Sequence, residues 1–229
     1  MIFDTETTGL PQAKFINIDT LHLWPHIVQF SYVIYDSDKN EIVDSTDLII
    51  KVSNTVIISN ESTQIHKITQ KISSEKGVEI DKVIRDFIEK LTTVDLLVGH
   101  NISFDINMIK VEMMRIIQFN ERKVTPRQLK NYKSDLVYLY KYKNTYCTLQ
   151  ESIDLCNIKA VTKYGKEYVK FPKLLELHEK LFNSAPNKLH NSYNDILITL
   201  RCFMKMRYDV DLNTYCPNFA VLAEMLGIL

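Results

Sequence analysis

The feature that most restricts this chain is an apolar start that runs directly into two carboxylates. In "MIFDTETTGLP", Asp4 and Glu6 stand one residue apart immediately after Ile2 and Phe3. On an extended strand, residues i and i+2 point to the same face. Two like charges about 5 Å apart repel by roughly 3 kcal/mol at an effective dielectric of about 20. A fold that sets both acids on one strand must supply something that offsets this repulsion.

The 229 residues suit one domain, or one domain with an appendage, and are enough to bury a core. With 45% hydrophobic and 24% charged residues, the composition excludes the disordered and membrane classes. No apolar run approaches the ~20 residues that span a bilayer. Asp4 and Glu6 sit where the basic region of a signal peptide would be, so an intracellular protein is expected, cytoplasmic or nuclear. Cys147, Cys156, Cys202 and Cys216 lack CxxC spacing and paired histidines, so buried free thiols are expected rather than zinc ligands or disulfides.

The formal net charge is +0, but it is unevenly spread. Arg115, Arg122, Lys123, Arg127, Lys130, Lys133, Lys141 and Lys143 face only Glu121 and Asp135 in their segment. Tyr132, Tyr138, Tyr140, Tyr142 and Tyr146 are interleaved or adjacent. This segment reads either as a strand-tracking groove, with binding weakened by salt, or as a solvated insertion with buried tyrosines.

The periodicities give an α/β chain. "MIF" reads as a short first strand. "HIVQFSYVIYD" alternates and is rich in β-branched and aromatic residues, so it reads as a strand that turns through "SDKN". "EIVDSTDLIIKV" then returns as its hairpin partner. "EIDKVIRDFIEKL" has helical spacing, "DLLVGH" is a short buried strand, and "SFDINMIKVEMMRII" is a helix with Ser103 as its expected N-cap. "TKYGKEYVKF" reads as a small hairpin turning at Gly165. "PKLLELHEKLF" is a helix expected to begin at Pro172, and "SYNDILITLRCFMKMR" is another. Three leading strands followed by strand–helix alternation imply a mixed sheet with helices against it. After Arg207 the chain reads as an appendage with one short apolar helix, "FAVLAEML".

Two further acids lie at element junctions. Asp105 follows Gly99 and His100, and Asp195 follows His190 by five residues. Each has a purely local reading. Ser192-x-x-Asp195 resembles an N-capping arrangement, Asp105 suits the first turn of a helix, and Glu6 suits a surface. The local readings do not account for four acids that each border an apolar stretch.

The patterns Asp4-Thr5-Glu6-Thr7-Thr8-Gly9, Gly99-His100-Asn101-x-x-Phe104-Asp105 and His190-x4-Asp195 resemble the three motifs of the DEDDh 3′–5′ exonucleases. That family includes proofreading subunits of bacterial replicative polymerases, ribonuclease T and oligoribonuclease. The resemblance covers roughly residues 1–206. "IHKIT" is similar to a family segment that reads I-H-G-I-T, with Lys67 in place of the glycine. The tyrosine variant of the family requires tyrosine at 191, where this chain has Asn191.

The resemblance implies a ribonuclease-H-like α/β domain over residues 1–207, with a mixed sheet, three leading antiparallel strands and helices on both faces. Residues 208–229 would be a C-terminal helical appendage and a candidate docking element for a polymerase or other protein partner. The implied activity is 3′–5′ exonucleolytic hydrolysis of single-stranded DNA or RNA, releasing nucleoside monophosphates, as in proofreading, repair or RNA processing. The alternative is a non-catalytic nucleic-acid-binding or polymerase-associated module on the same fold. The implied cofactors are two Mg2+ or Mn2+ ions, hard cations that prefer carboxylates, and they would neutralise the repulsion at Asp4 and Glu6. Asp4 would bridge both ions, Glu6 and Asp195 would complete the site of the ion that binds the attacking water, and Asp105 would hold the second through waters. His190 would take the water's proton, a task that suits imidazole near neutral pH. Backbone N–H groups at Thr7, Thr8 and Gly9 would hold the terminal nucleotide, with Gly9 a candidate for positive φ. His66 fits either packing on the terminal base or sugar or a structural role. Phe104 fits a wedge at the strand end or the core.

Overall fold

The computed structural model describes residues 1–120 and 124–229. Arg122 and Lys123 of the basic segment lie outside the described residues. A five-stranded sheet in the order β3-β2-β1-β4-β5 forms the centre. Its strands are β1 (Ile2–Thr7), β2 (Ile27–Asp36), β3 (Glu41–Ile49), β4 (Leu97–Gly99) and β5 (Thr145–Cys147). β2 runs antiparallel to both β1 and β3, and β4 and β5 join β1 in parallel, which gives the expected mixed sheet.

Alternation along the strands divides the core in two. Phe3, Phe30, Tyr32 and Leu97 point to one face, where α3 (Ile80–Leu91) and α4 (Ile102–Asn120) cover them. Two short helices, α1 (Asn60–His66) and α2 (Gln70–Lys76), precede α3. The α3 residues Val83, Ile84, Phe87, Ile88 and Leu91 are all buried, as their spacing predicts. Phe87 meets Phe3 and Phe30 with ring centroids 5.1 and 5.3 Å apart. Each such side chain removed from water contributes about 1.5–3 kcal/mol. On this side α4 also packs against α5 (Pro126–Lys141), whose Thr125 cap and Pro126 fix its start.

Ile2, Val33 and Val98 point the other way, into a second core with α9 (Ser192–Tyr208). The chain reaches α9 through α6 (Thr148–Glu151), α7 (Ile153–Cys156), a separate hairpin of β6 (Lys159–Val161) and β7 (Glu167–Val169), and α8 (Leu174–Phe182). The hairpin turns at Gly165, where φ is +80°.

Three expectations need correcting. The first strand does not stop at the first acid; it continues to Thr7, so both acids lie within it. Ser103 does not cap α4, which starts one residue earlier after Asn101 at φ +69°. Pro172 lies before α8, whose cap is Lys173, so its ring is outside the helix and its carbonyl is free to accept a hydrogen bond. The turn at 37–40 is as expected, with Asp36 Oδ1 accepting from the N–H groups of Asp38 and Lys39. All four cysteines are free; Cys202 and Cys216 are buried, and Cys147 and Cys156 are partly so.

Residues 208–229 form α10 (Leu212–Tyr215) and α11 (Pro217–Leu226). Leu212, Cys216, Phe219, Ala223 and Ile228 are buried in the same core as Ile2 and Leu197. Asp211 accepts from Arg201 Nε and Nη2, both at 2.7 Å. Among the described residues, no helix is long and apolar enough to cross a membrane.

Candidate active site

Register explains how the first two acids come to share a face. Asp4 lies opposite Ser31 and Glu6 opposite Gln29, on the face that carries Ile2 and Val33. That face is covered by α9, whose first turn brings Asp195. Carboxylate oxygens of Asp4, Glu6 and Asp195 lie within 4.8 Å of one another. The three acids are half-buried, and no ion pair of theirs to Lys, Arg or His occurs among the described residues.

Asp105 arrives from the opposite layer. Gly99 ends β4 with Ile102 packed on it, where a Cβ would stand 3.0 Å from Ile102 Cβ. The left-handed Asn101 then turns the chain into α4, a conformation that asparagine tolerates better than most residues. Asp105 Oδ1 accepts from Thr5 N–H at 3.0 Å and Thr5 Oγ1 at 2.7 Å. These bonds hold it beside β1, although it stands outside the three-acid group.

Burial dominates the electrostatics. It pushes the Asp4 carboxyl up to about 7, opposed by the Thr5 backbone hydrogen bond. Burial and then the Asp4 charge raise Glu6 to about 8. Burial, then Asp4 and Glu6, raise Asp195 to about 9. Burial and then Asp4 push Asp105 well above its ordinary value. Packed acids that resist ionisation together are what like charges in a low dielectric produce. This answers the question posed by the opening acids: the site favours the carboxylates with their protons or with a cation. A cluster of hard oxygen donors fits a hard divalent ion.

His190 sits on the loop before α9, exposed, with φ +70°. Its backbone N–H donates to both Asp195 oxygens, at 3.3 and 3.2 Å. The imidazole has no hydrogen-bond partner among the described residues. The loop is held from the C-terminal tail. Asn187 N–H donates to Ile228 O at 2.8 Å, Lys188 Nζ donates to Leu226 O, and Asn194 Nδ2 donates to Lys188 O at 2.8 Å.

A cleft of about 1020 Å³ opens beside Glu6 and is lined by Thr7, Thr8, Gly9, His66 and Phe104 among others. All five sequence-predicted contact residues therefore share one wall system. Their details differ from expectation. Gly9 does not have a positive φ; a Cβ there would meet nothing within 4 Å, so it faces open space. Thr8 N–H is spent on His26 O at 2.8 Å, and Thr7 Oγ1 donates to Gly9 O at 2.7 Å. The Gly9 N–H has no partner among the described residues. His66 is buried; its Nδ1 accepts from Ile68 N–H at 3.0 Å, and its Nε2 has no hydrogen-bond partner among the described residues. Phe104 packs partly against the core as well as lining the cleft. Among the described residues of the basic segment, only Arg115 reaches this wall, donating to the carbonyls of Leu21, Trp24 and Pro25 and to Glu112. Tyr132 and Tyr142 pack against the core, while Tyr138 and Tyr140 are exposed.

Two groups of supporting residues escape the motif reading. Thr5, between the paired acids, positions Asp105. Gln29 and Ser31 form a buried polar stripe that donates to the exposed Asp47 at 2.8 and 2.9 Å, and Ser31 Oγ meets Ser192 Oγ at 2.6 Å. The signal was present: two polar residues alternating with Val28, Phe30 and Tyr32 inside a strand buried on both faces.

Comparison with curated proteins finds no match. Among solved structures, E. coli exonuclease I in complex with a dT13 oligonucleotide superposes with a TM-score of 0.58 at 16% identity, covering 96% of this chain and 42% of that one. Exonuclease I from Methylocaldum szegediense gives 0.56 at 15%, covering 93% and 41%. Cell-death related nuclease 4 gives 0.56 at 14%, covering 90% and 62%. The chain thus spans about two fifths of the length of the exonuclease I chains. At these identities the superpositions establish the ribonuclease-H-like fold. The RNase_T exonuclease model matches residues 1–203, a stretch that holds all three acidic motifs, and the chain belongs to that exonuclease family.

Proposed function

We propose that this protein is a metal-dependent 3′–5′ exonuclease that removes nucleoside monophosphates from single-stranded DNA or RNA. The observation that carries this reading is the approach of Asp4, Glu6 and Asp195 to within 4.8 Å, with Glu6 also lining a cleft shared by the predicted strand-end contacts. Asp4, Glu6 and Asp195 would hold one divalent ion, and Asp4 with Asp105 a second, Mg2+ or Mn2+. Such ions supply charge neutralisation and Lewis acidity at a phosphodiester.

The chain's own groups take the remaining tasks. The exposed imidazole of His190 accepts the proton of the attacking water, and its backbone N–H fixes Asp195. The Gly9 N–H, without a partner among the described residues, donates to the terminal nucleotide. Phe104 and the wall around His66 border the space for the last base.

A strand labelled at its 5′ end tests the proposal. The expected result is a ladder that shortens from the 3′ end in Mg2+ or Mn2+, with monophosphate products and no reaction in chelator. Internal cleavage, or degradation unaffected by chelator, would overturn it.

A further inference from the structure

We propose that the β6–β7 hairpin is a capture arm for single-stranded nucleic acid, holding the part of the strand that has not yet reached the acidic site. This rests on the nuclease reading above and adds to it a binding element that the three motifs do not contain.

The composition of the arm is the first argument. From Lys159 to Lys173 there are five lysines, at 159, 163, 166, 170 and 173, against the single acid Glu167. Tyr164, Tyr168 and Phe171 are interleaved with them. Positive charge with aromatic faces is the combination that follows a single strand, because every base has a π-face and every linkage a charge.

Exposure is the second. Tyr164 is 84% exposed, Val161 62%, Phe171 61% and Tyr168 47%. Every residue of β7 is exposed. Among the described residues the two strands pair only with each other, in a sheet separate from the main one. An isolated two-stranded hairpin is marginal in water, and one that leaves its apolar side chains uncovered lacks a third layer. Charge complementarity says what supplies it. Lys159, Lys163 and Lys166 have no ion pair among the described residues; Lys170 pairs with Glu176 at the base.

Register is the third. Lys166, Tyr168 and Lys170 occupy alternate positions and so share one face, with Ala160 opposite Tyr168. The small Ala160 leaves the tyrosine ring uncovered from across the ladder. Two cations flank one aromatic ring at steps of about 7 Å.

Placement is the fourth. The base of the arm is tied to the catalytic strand end. His100, directly after β4 and five residues before Asp105, donates from Nε2 to Pro172 O at 3.1 Å, while its Nδ1 meets Thr148 Oγ1 at 3.0 Å. Burial pushes this imidazole down to about 4, which keeps it neutral and able to serve both partners. The base of the arm is therefore tied to the C-terminal end of β4, the strand that runs parallel to β1 and its two acids.

The test is binding in chelator, so that hydrolysis plays no part. The probe is a fluorescent 20-nucleotide single strand, and the readout is anisotropy against salt. Tyr168→Ala is expected to raise Kd about tenfold. Lys159→Ala/Lys163→Ala/Lys166→Ala is expected to flatten the log Kd against log salt slope by about 2, at roughly 0.7 per phosphate contact. A trinucleotide, which fills the acidic site and not the arm on this proposal, is expected to bind both variants like the parent. Unchanged Kd and slope on the 20-mer, in variants with parental circular dichroism, would overturn the proposal. So would an equal loss of binding to poly-glutamate, which would identify an acidic polypeptide as the partner. A parent protein that binds the strand through the arm but degrades nothing with Mg2+ or Mn2+ would sink the nuclease reading and leave the arm standing.

Discussion

The acidic site and the β6–β7 arm hold charge in opposite ways. Asp4, Glu6, Asp105 and Asp195 come from three elements and two layers, and each is fixed by register or hydrogen bonds to its neighbours. Their charges are crowded and desolvated, so holding them ionised costs free energy until a cation arrives. Lys159, Lys163 and Lys166 of the arm stand in water, on a hairpin whose base is tied to the body by His100 and by the Lys170–Glu176 pair. On the proposed reading, the comparison describes a division of labour. Chemistry at a phosphorus needs groups held to a fraction of an ångström, and only a packed core provides that. Following a flexible polyanion needs only charge and ring faces within reach.

The largest effect that sharpens this contrast is at the packed site. Asp4→Asn is expected to lower turnover by about four orders of magnitude, a loss of roughly 5–6 kcal/mol of transition-state stabilisation. The same variant is expected to be more stable than the parent in chelator, because one repelling charge is gone. Steady-state kinetics and thermal unfolding check the two halves. Retained turnover would remove Asp4 from the mechanism.

Next is His190. His190→Ala is expected to lower turnover by about 10²–10³-fold while Mn2+ affinity, measured by titration calorimetry, stays near the parent's. His190→Gly should lose activity similarly yet gain about 1 kcal/mol of stability, since φ +70° disfavours a side chain. A glycine variant no more stable than the alanine one would break the argument that the loop is strained.

The site also sets a pH dependence. Asp4, Glu6 and Asp195 keep their protons up to about 7, 8 and 9 when folded, against ordinary values of 3.8, 4.5 and 3.8. The folded chain therefore binds protons more tightly than the unfolded one. Stability from this source is fully present below about pH 4 and is lost as pH rises through 7 to 9. In chelator, Tm should be higher at pH 5 than at pH 8, and Mg2+ or Mn2+ should narrow the gap by binding the ionised form. A Tm that rises from pH 5 to pH 8 without metal would contradict the burial of these acids.

The smallest effect lies away from both regions. Lys67 closes α1 at φ +64°, in the position where the resembling family segment has glycine. Lys67→Gly is expected to add about 1 kcal/mol of stability with turnover unchanged. Denaturant unfolding reads it directly.

Much of the site was legible because each acid lies in a local pattern whose element could be read from periodicity. Asp4 and Glu6 share a face on any extended strand. Asp105 and Asp195 fall in first turns of helices whose apolar spacing is clear. The support around them was not legible. Thr5 looks like a spacer until α4 brings Asp105 against it. The tail looks separable until Asn187 and Lys188 are seen bonded to Ile228 and Leu226. Such bonds join residues about 40 positions apart, and no local pattern encodes them.

The sequence by itself determined the elements, their faces and the identity of the acids, because alternation and helical period are properties of neighbouring residues. Tertiary structure alone decided that these acids meet, how strongly burial opposes their ionisation, and which loop holds His190 beside Asp195. Those depend on which layer covers which face, and desolvation arises only when distant parts of the chain exclude water together.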